Sequence, residues 1–315
     1  MKNLTCIFIT ALALNFAHAQ VPEPAWNATV TVLDETNSPV ANANVEMSFY
    51  VKTKPGESES GGNVQGLTDT NGVVLLSHPN TGSIGVAFQA TKAGYYPTTQ
   101  SHEFVEFKDG DPEKWNPTVT LMLKKIGSPI PMYAKYVENG PPVFNEPVGY
   151  DLMIGDWVAP HGKGQTADII FTGQLDKKSK NDFDYKLTVS FPKSGDGIQE
   201  FIVPPTRFAG QGSELRSPHE TPADGYQSQV IRTMSRHPGQ QSIDDHDGNR
   251  NYFFRVRTVL DENGNVKSAL YGKIYGDFMQ FKYYLNPTPN SRNVEFDPKQ
   301  NLLGSLKSFE QVKDP

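Results

Sequence analysis

The chain has 315 residues, a formal net charge of −6 and a single cysteine, with 27 glycines and 24 prolines spread along it. The acidic balance argues against a nucleic-acid backbone as partner, which requires clustered Lys and Arg; the short runs "LKKIG" and "DKKSKND" read as solvated turns. A chain of this length buries roughly three quarters of its unfolded surface, so it can hold a core without disulfides.

The first twenty residues, "MKNLTCIFITALALNFAHAQ", have a positive end at Lys2, an apolar run from Cys6 to Phe16, and small residues at Ala17 and Ala19. This is the layout of a secretory signal peptide over residues 1–19, with a run too short to span a bilayer comfortably. No later stretch approaches the roughly 20 apolar residues of a transmembrane helix. Cys6 stands at the start of the apolar run, whereas a lipid-anchored cysteine follows the run. A mature chain starting at Gln20 therefore carries no thiol, which excludes disulfides, a thiolate metal site and a cysteine nucleophile. Export without disulfides suits a bacterial periplasmic or secreted protein.

From residue 20 the recurring signal is alternation broken by Gly and Pro, with no long helical period. "NATVTVLD" (27–34) and "ANVEMSFYVK" (43–52) read as strands joined by the turn-rich "ETNSPVAN". "VVLLS" (73–77), "SIGVAFQATK" (83–92), "HEFVEFK" (102–108) and "TVTLMLKK" (118–125) follow. About seven short strands over 27–125 are enough for a two-sheet sandwich. "GLTDTNGVVLL" (66–76) reads as a hairpin, because Asn71-Gly72 takes positive φ readily and Asp69 can bond the turn backbone.

"VTVLDETNSPVANANVEMSF", "GLTDTNGVVLL" and "FQATKAGYYPT" together resemble the carboxypeptidase regulatory-like domain. The matching positions are Val32, Asp34, Pro39, Val40, Ala43 and Val45, then Thr68, Asp69 and Gly72, then Ala90, Gly94 and Tyr95. The resemblance covers about a hundred residues, 20–126. It implies an Ig- or transthyretin-like β-sandwich with an accessory role, and it transfers no catalytic residue, since that module has no peptidase centre.

"KIGSPIPMYAKYVENGPPVFNEPVGYD" (125–151) is rich in Pro and Gly, and places a boundary near 126–132. "ENGPPVFNEP" reads either as linker or as an ordered arm burying Val143 and Phe144. Residues 133–315 continue in β style. "VGYDLMI" (148–154) and "ADIIFTG" (167–173) come first, then "DYKLTVSFP" (184–192), which puts Tyr185, Leu187, Val189 and Phe191 on one face and Lys186, Thr188 and Ser190 on the other. "AGQGSELRSPHETPADGYQ" (209–227) is a long polar loop, a kind that is usually functional or mobile. "NYFFRVRTVLDENGNVKSALYGKIYGDFMQFKYYLN" (251–286) reads as an antiparallel meander. The tail then wraps the sheet through Val294, Phe296, Leu302 and Leu303. The expected class is all-β: the first sandwich followed by a larger antiparallel sandwich or barrel.

Chemistry is sparse. His78, His102, His161, His219, His237 and His246 form no HxH, HxxH or HExxH pair, so no spacing supports a zinc site. "SIDDHDGNRNYFF" (242–254) sets Asp245, Asp247, Asn249 and Asn251 at every second position around Gly248, the start of a calcium loop. Val256 stands where the bidentate glutamate belongs, and Asp, Asn and Gly also suit any tight loop. "IGDWVAPHGKGQTADI" (154–169) displays Trp157, His161 and Lys163 among glycines. Either Trp157 is a stacking platform for a sugar or peptide, or it is a core ring at a strand end. The stretch lacks the GxxxxGK[ST] spacing of a phosphate loop, and the chain has no GxSxG elbow or SxxK. The reading is an exported accessory protein contacting glycan or protein through its second half. The competing reading is a glycan-active hydrolase or lyase, with paired carboxylates 5–10 Å apart as in glycosidases. N-terminal sequencing of exported material should begin at Gln20; an intact Met1 would refute the signal peptide.

Overall fold

A computed structural model describes residues 25–51, 60–79, 85–103, 117–203 and 211–315, and these contain strands and no helix. The expected signal peptide and residues 104–108 of the strand expected at 102–108 lie outside the described residues. No helix among the described residues is long and apolar enough to cross a membrane.

The first unit is built from β1 (Ala25–Asp34), β2 (Asn44–Val51), β3 (Ser60–Leu67), β4 (Val73–Pro79), β5 (Gly85–Thr91), β6 (Tyr95–Tyr96), β7 (Thr98–Glu103) and β8 (Thr118–Lys125). One sheet runs β4-β1-β8-β6 and the other runs β7-β5-β2-β3. β1 and β8 pair in parallel, while the other pairs of this unit are antiparallel. Period-two alternation sends Val30, Val32, Val45, Met47, Phe88, Leu121 and Leu123 between the sheets, where all are buried.

The expected hairpin at 66–76 is a tight turn, but its arms do not pair. Gly72 N donates to Asp69 O at 3.0 Å, and Asp69 Oδ1 accepts Asn71 N and Val73 N at 2.9 and 2.8 Å. Of the expected Asn71-Gly72 pair only Gly72 takes positive φ, at 74°, and Asn71 does not. Yet β3 belongs to one sheet and β4 to the other. β1 captures the outgoing arm, with Val32 N donating to Gly72 O at 2.7 Å. Gly66 then lets β3 pack face to face on β4: a Cβ there would stand 2.7 Å from Val74 Cγ2 and 3.0 Å from Leu76 Cδ2. The turn is a corner between layers.

The rest of the chain forms β9 (Ile130–Val137), β10 (Pro147–Asp151), β11 (Asp156–Trp157), β12 (Ile169–Ser179), β13 (Asp182–Ser190), β14 (Gly197–Ile202), β15 (Gly212–Ser213), β16 (Gln229–Arg236), β17 (Ile243–Asp244), β18 (Arg250–Leu260), β19 (Val266–Gly276), β20 (Phe281–Asn286) and β21 (Phe296–Asn301), all of the second unit except β15. Two six-stranded sheets, β11-β10-β12-β13-β16-β17 and β14-β18-β19-β20-β9-β21, leave open edges, so the arrangement is a sandwich and not a closed barrel. β18, β19 and β20 form the expected meander. Tyr150, Phe171, Leu187, Val189, Phe254, Ile274, Phe281 and Tyr283 fill the core between the sheets. Val294 and Phe296 are buried on the outer side of the meander, whereas Leu302 is exposed. The "ENGPPVFNEP" segment lies along β12: Asn145 N donates to Gly173 O, and Asn145 Oδ1 accepts Leu175 N.

The long polar loop, described from residue 211 on, is a seam between the units. β15 pairs with β7 of the first unit and so extends its sheet. Further along, Thr221 N donates to Arg292 O and Val294 N donates to His219 O in the second unit. At the centre of the junction lies Glu295, fully buried. Its Oε1 accepts Tyr96 Oη at 2.7 Å and Gly127 N at 2.8 Å, and its Oε2 accepts Ser128 N at 2.7 Å. Burial works to raise its pKa, but these donors and the nearby His219 outweigh it and hold the carboxyl below its ordinary value. Its contribution is therefore complete above the unfolded pKa and is lost as pH falls through the folded one. Glu295→Ala should cost about 2–4 kcal/mol at neutral pH by orphaning buried donors, measured by urea denaturation. A loss below about 1 kcal/mol would show that the junction does not depend on it.

Candidate functional site

The loop that follows β10 is organised by Asp151. Its Oδ1 accepts Met153 N at 3.1 Å and Ile154 N at 3.2 Å; its Oδ2 accepts Gln165 N and Thr166 N at 3.0 Å each. Burial pushes this carboxyl up, and the four backbone donors more than offset it, leaving the pKa below the ordinary range. Beside it Asp168, also buried, takes both prongs of Arg257: Nε to Oδ1 at 2.8 Å and Nη2 to Oδ2 at 3.0 Å. Nη2 also reaches Asp151 Oδ1 at 3.1 Å. Arg257 lies where β18 slips register against β19, and its backbone is left-handed at φ 56°. That conformation is strained for a residue with a side chain. Asp196 steadies it by accepting Arg257 N at 3.2 Å and Thr258 N at 2.8 Å. Nothing in the alternating "YFFRVRTVL" announces this bulge.

Within this frame the structure separates Trp157 from His161 and Lys163. The indole turns to the core and meets Tyr150 and Phe171 edge-on, at ring-centre distances of 5.0 and 5.2 Å. His161 Nε2 stands 3.6 Å from Glu146 Oε1. Lys163 is exposed, its backbone N–H bound to Asp156 Oδ2 at 2.9 Å.

The four oxygen-bearing residues of the 242–254 loop also point to different partners. Asp245 Oδ1 accepts Arg232 Nε at 2.8 Å, and Asp245 Oδ2 accepts Thr233 N at 3.0 Å. Asp247 Oδ1 accepts Asn249 N, while Asn251 is fully buried and donates from Nδ2 to Asn249 O. His246 Nδ1 lies 2.9 Å from Asp277 Oδ2. Among the described residues no group of three or more His, Cys, Asp or Glu is arranged to hold a metal ion.

A shallow groove of about 480 Å³ lies across β12, β13, β16 and β17. Strand pairing explains its lining. Gln174, Lys186 and Thr233 form one cross-strand row; Asp176, Asp184, Ser235 and Ile243 form another. Phe171, Leu187 and Val189 on the same strands point into the core, so by alternation both rows stand on the outer face. Leu175, Tyr185 and Met234, between the rows, contribute from the other parity. Three strand spacings make the groove about 14 Å long, enough for a short extended chain.

Asp176 and Asp184 are direct cross-strand partners, an arrangement of like charges that weakens a bare sheet. His237 closes this end, with Nδ1 2.9 Å from Asp182 Oδ1 and Nε2 3.3 Å from Asp184 Oδ1. The Asp182 contact, aided by Asp184, raises the imidazole pKa and favours its charged form. The polar parity of β13 was readable from "DYKLTVSFP"; that residues 174–176 and 233–235 line up beside it was not, because no local motif encodes their pairing.

Neither protein-family models nor curated proteins match this chain. For the loop after β10, the geometry gives two expectations in urea denaturation. Trp157→Ala should cost about 3–5 kcal/mol, as loss of a packed aromatic does. Arg257→Met should cost about 3–5 kcal/mol by stranding two buried carboxylates. A Trp157 variant of unchanged stability would return the ring to a surface role.

Proposed function

We propose that this is an exported two-unit β-protein that binds a carbohydrate chain along the groove of β12, β13, β16 and β17. The first unit serves as an accessory module of the regulatory-like kind. The observation that carries the reading is the groove's lining. It offers amide, carboxylate, ammonium and hydroxyl groups in two parallel rows, with Ile243 as the exposed apolar wall. Closely spaced donors and acceptors suit vicinal sugar hydroxyls, which give and receive hydrogen bonds at each ring. A peptide strand would call instead for apolar pockets at alternate side chains.

Binding is favoured over hydrolysis by exposure. Asp176 and Asp184 are both open to solvent. A general acid for glycoside cleavage is made by desolvation, which this groove does not provide. The unfavourable pairing of the two carboxylates fits a surface shaped for a ligand better than one shaped for stability.

The test is retardation in gels containing soluble polysaccharides, followed by calorimetry with the matching oligosaccharides. Asp184→Ala and Gln174→Ala are exposed-face changes that should keep a cooperative melting transition. Asp184→Ala should weaken binding about tenfold or more, the worth of one hydrogen bond to a charged group. Absence of retardation in every polysaccharide, or binding indifferent to Asp184→Ala, would overturn the proposal. Release of new reducing ends would replace it with the hydrolase reading.

A further inference from the structure

Lys273, on the outer face of β19, is fully buried. Its amine makes a hydrogen bond of 3.1 Å to Ser217 Oγ and otherwise faces the rings of Tyr275 and Tyr284, at 5.2 and 4.8 Å. An ammonium group has three N–H donors to satisfy, and here a single oxygen acceptor lies within hydrogen-bond distance among the contacts described.

Ser217 belongs to the segment that joins the two units. Residues 212–213 add to the first unit's sheet, and Glu214 N donates to Pro97 O at 3.0 Å. Leu215 and Ser217 are fully buried. From the first unit, Lys124 Nζ caps Ser217 O at 2.9 Å; from the second, Tyr275 Oη accepts Ser217 N at 3.0 Å. His219 then sits between Glu35 of the first unit and Glu295 of the second, 3.4 Å from each. The segment is thus a clasp, and Lys273 is the buried amine directly beneath it.

We infer that residues 211–221 form a pH-operated clasp between the two units, closed when the Lys273 amine is neutral and released when it gains a proton. The clasp contributes Arg216, stacked on Tyr275 at 5.0 Å, and the end of β8 contributes Lys124. The segment before β21 contributes Glu295, and the C-terminal segment contributes Asp314, itself bound by Lys282 Nζ at 2.7 Å. Tyr275 and Tyr284 stay neutral, since burial raises both hydroxyls. The balance lowers Lys273 from 10.5 to about 7: burial dominates, Asp314 and Glu295 oppose it, and Lys124 reinforces it.

With the clasp lifted, the amine meets water and its pKa returns toward the ordinary value. The open form then binds more protons between the two values, so opening is favoured as pH falls toward about 7 and levels off below. The clasp is tightest in alkaline solution.

The cysteine content offers a direct readout. With Cys6→Ser, the full chain has no thiol, and Leu215→Cys places one at the buried centre of the clasp. Its rate of modification by a thiol reagent, divided by that of a short unfolded peptide at the same pH, reports the opening constant. That constant should be about tenfold or more larger at pH 6 than at pH 8.5. Adding Lys273→Met should abolish the step while keeping labelling slow at both pH values. A control thiol at Val30→Cys, in the first unit's core, should show no step. A step that survives Lys273→Met, one shared equally by the Val30 control, or none in the parent would overturn the inference.

Discussion

A buried carboxylate lies at the centre of the junction between the two halves of this molecule. Glu295 stands just before β21, yet it accepts Tyr96 Oη from the first unit and two backbone N–H groups from the short connection between units. A carboxylate removed from water must be saturated with donors. That requirement fixes where the first sandwich ends, where β9 begins and how the tail returns. The 211–221 segment closes over the same place, so the junction is a packed interior.

The second unit repeats this logic at its own loop. Arg257 takes a strained backbone in order to aim its guanidinium at Asp168 and Asp151. Asp151 in turn gathers four backbone N–H groups of the loop that carries Trp157. The glycines of that loop suggested display. What they permit is a tight wrap, with Asp156 and Asp151 satisfying the turns from inside. On the outer face of β12, β13 and β16, polar side chains line up across the strands.

The two regions differ in what acidity does to them. At the groove, His237 is solvent-accessible and its carboxylate neighbours favour the charged ring. At the junction, Lys273 is dry and burial disfavours its charge. The surroundings thus shift the two groups in opposite directions, His237 toward its charged form and Lys273 toward its neutral one.

Composition and period settled much of this architecture. Alternation with frequent Gly and Pro admits strands and excludes long helices, and the "NYFFRVRTVL" to "FKYYLN" stretch carries its own turns, so its meander was legible. The parity of "DYKLTVSFP" set Tyr185, Leu187, Val189 and Phe191 on one face, and the structure buries the last three and half-buries Tyr185. Local chemistry also fixed the turn at Asp69 to Gly72, but whether its arms shared a sheet depended on β1 competing for the outgoing strand. The same limit applies to the groove, whose rows bring together residues as far apart in sequence as Asp176 and Ile243, and to Lys273, an ordinary lysine in "YGKIYG" until Ser217 covers it. Period and turn chemistry act between near neighbours and can be read along the chain. Pairing partners, burial of charge and shared surfaces are set by contacts between distant segments, and only the folded structure decides them.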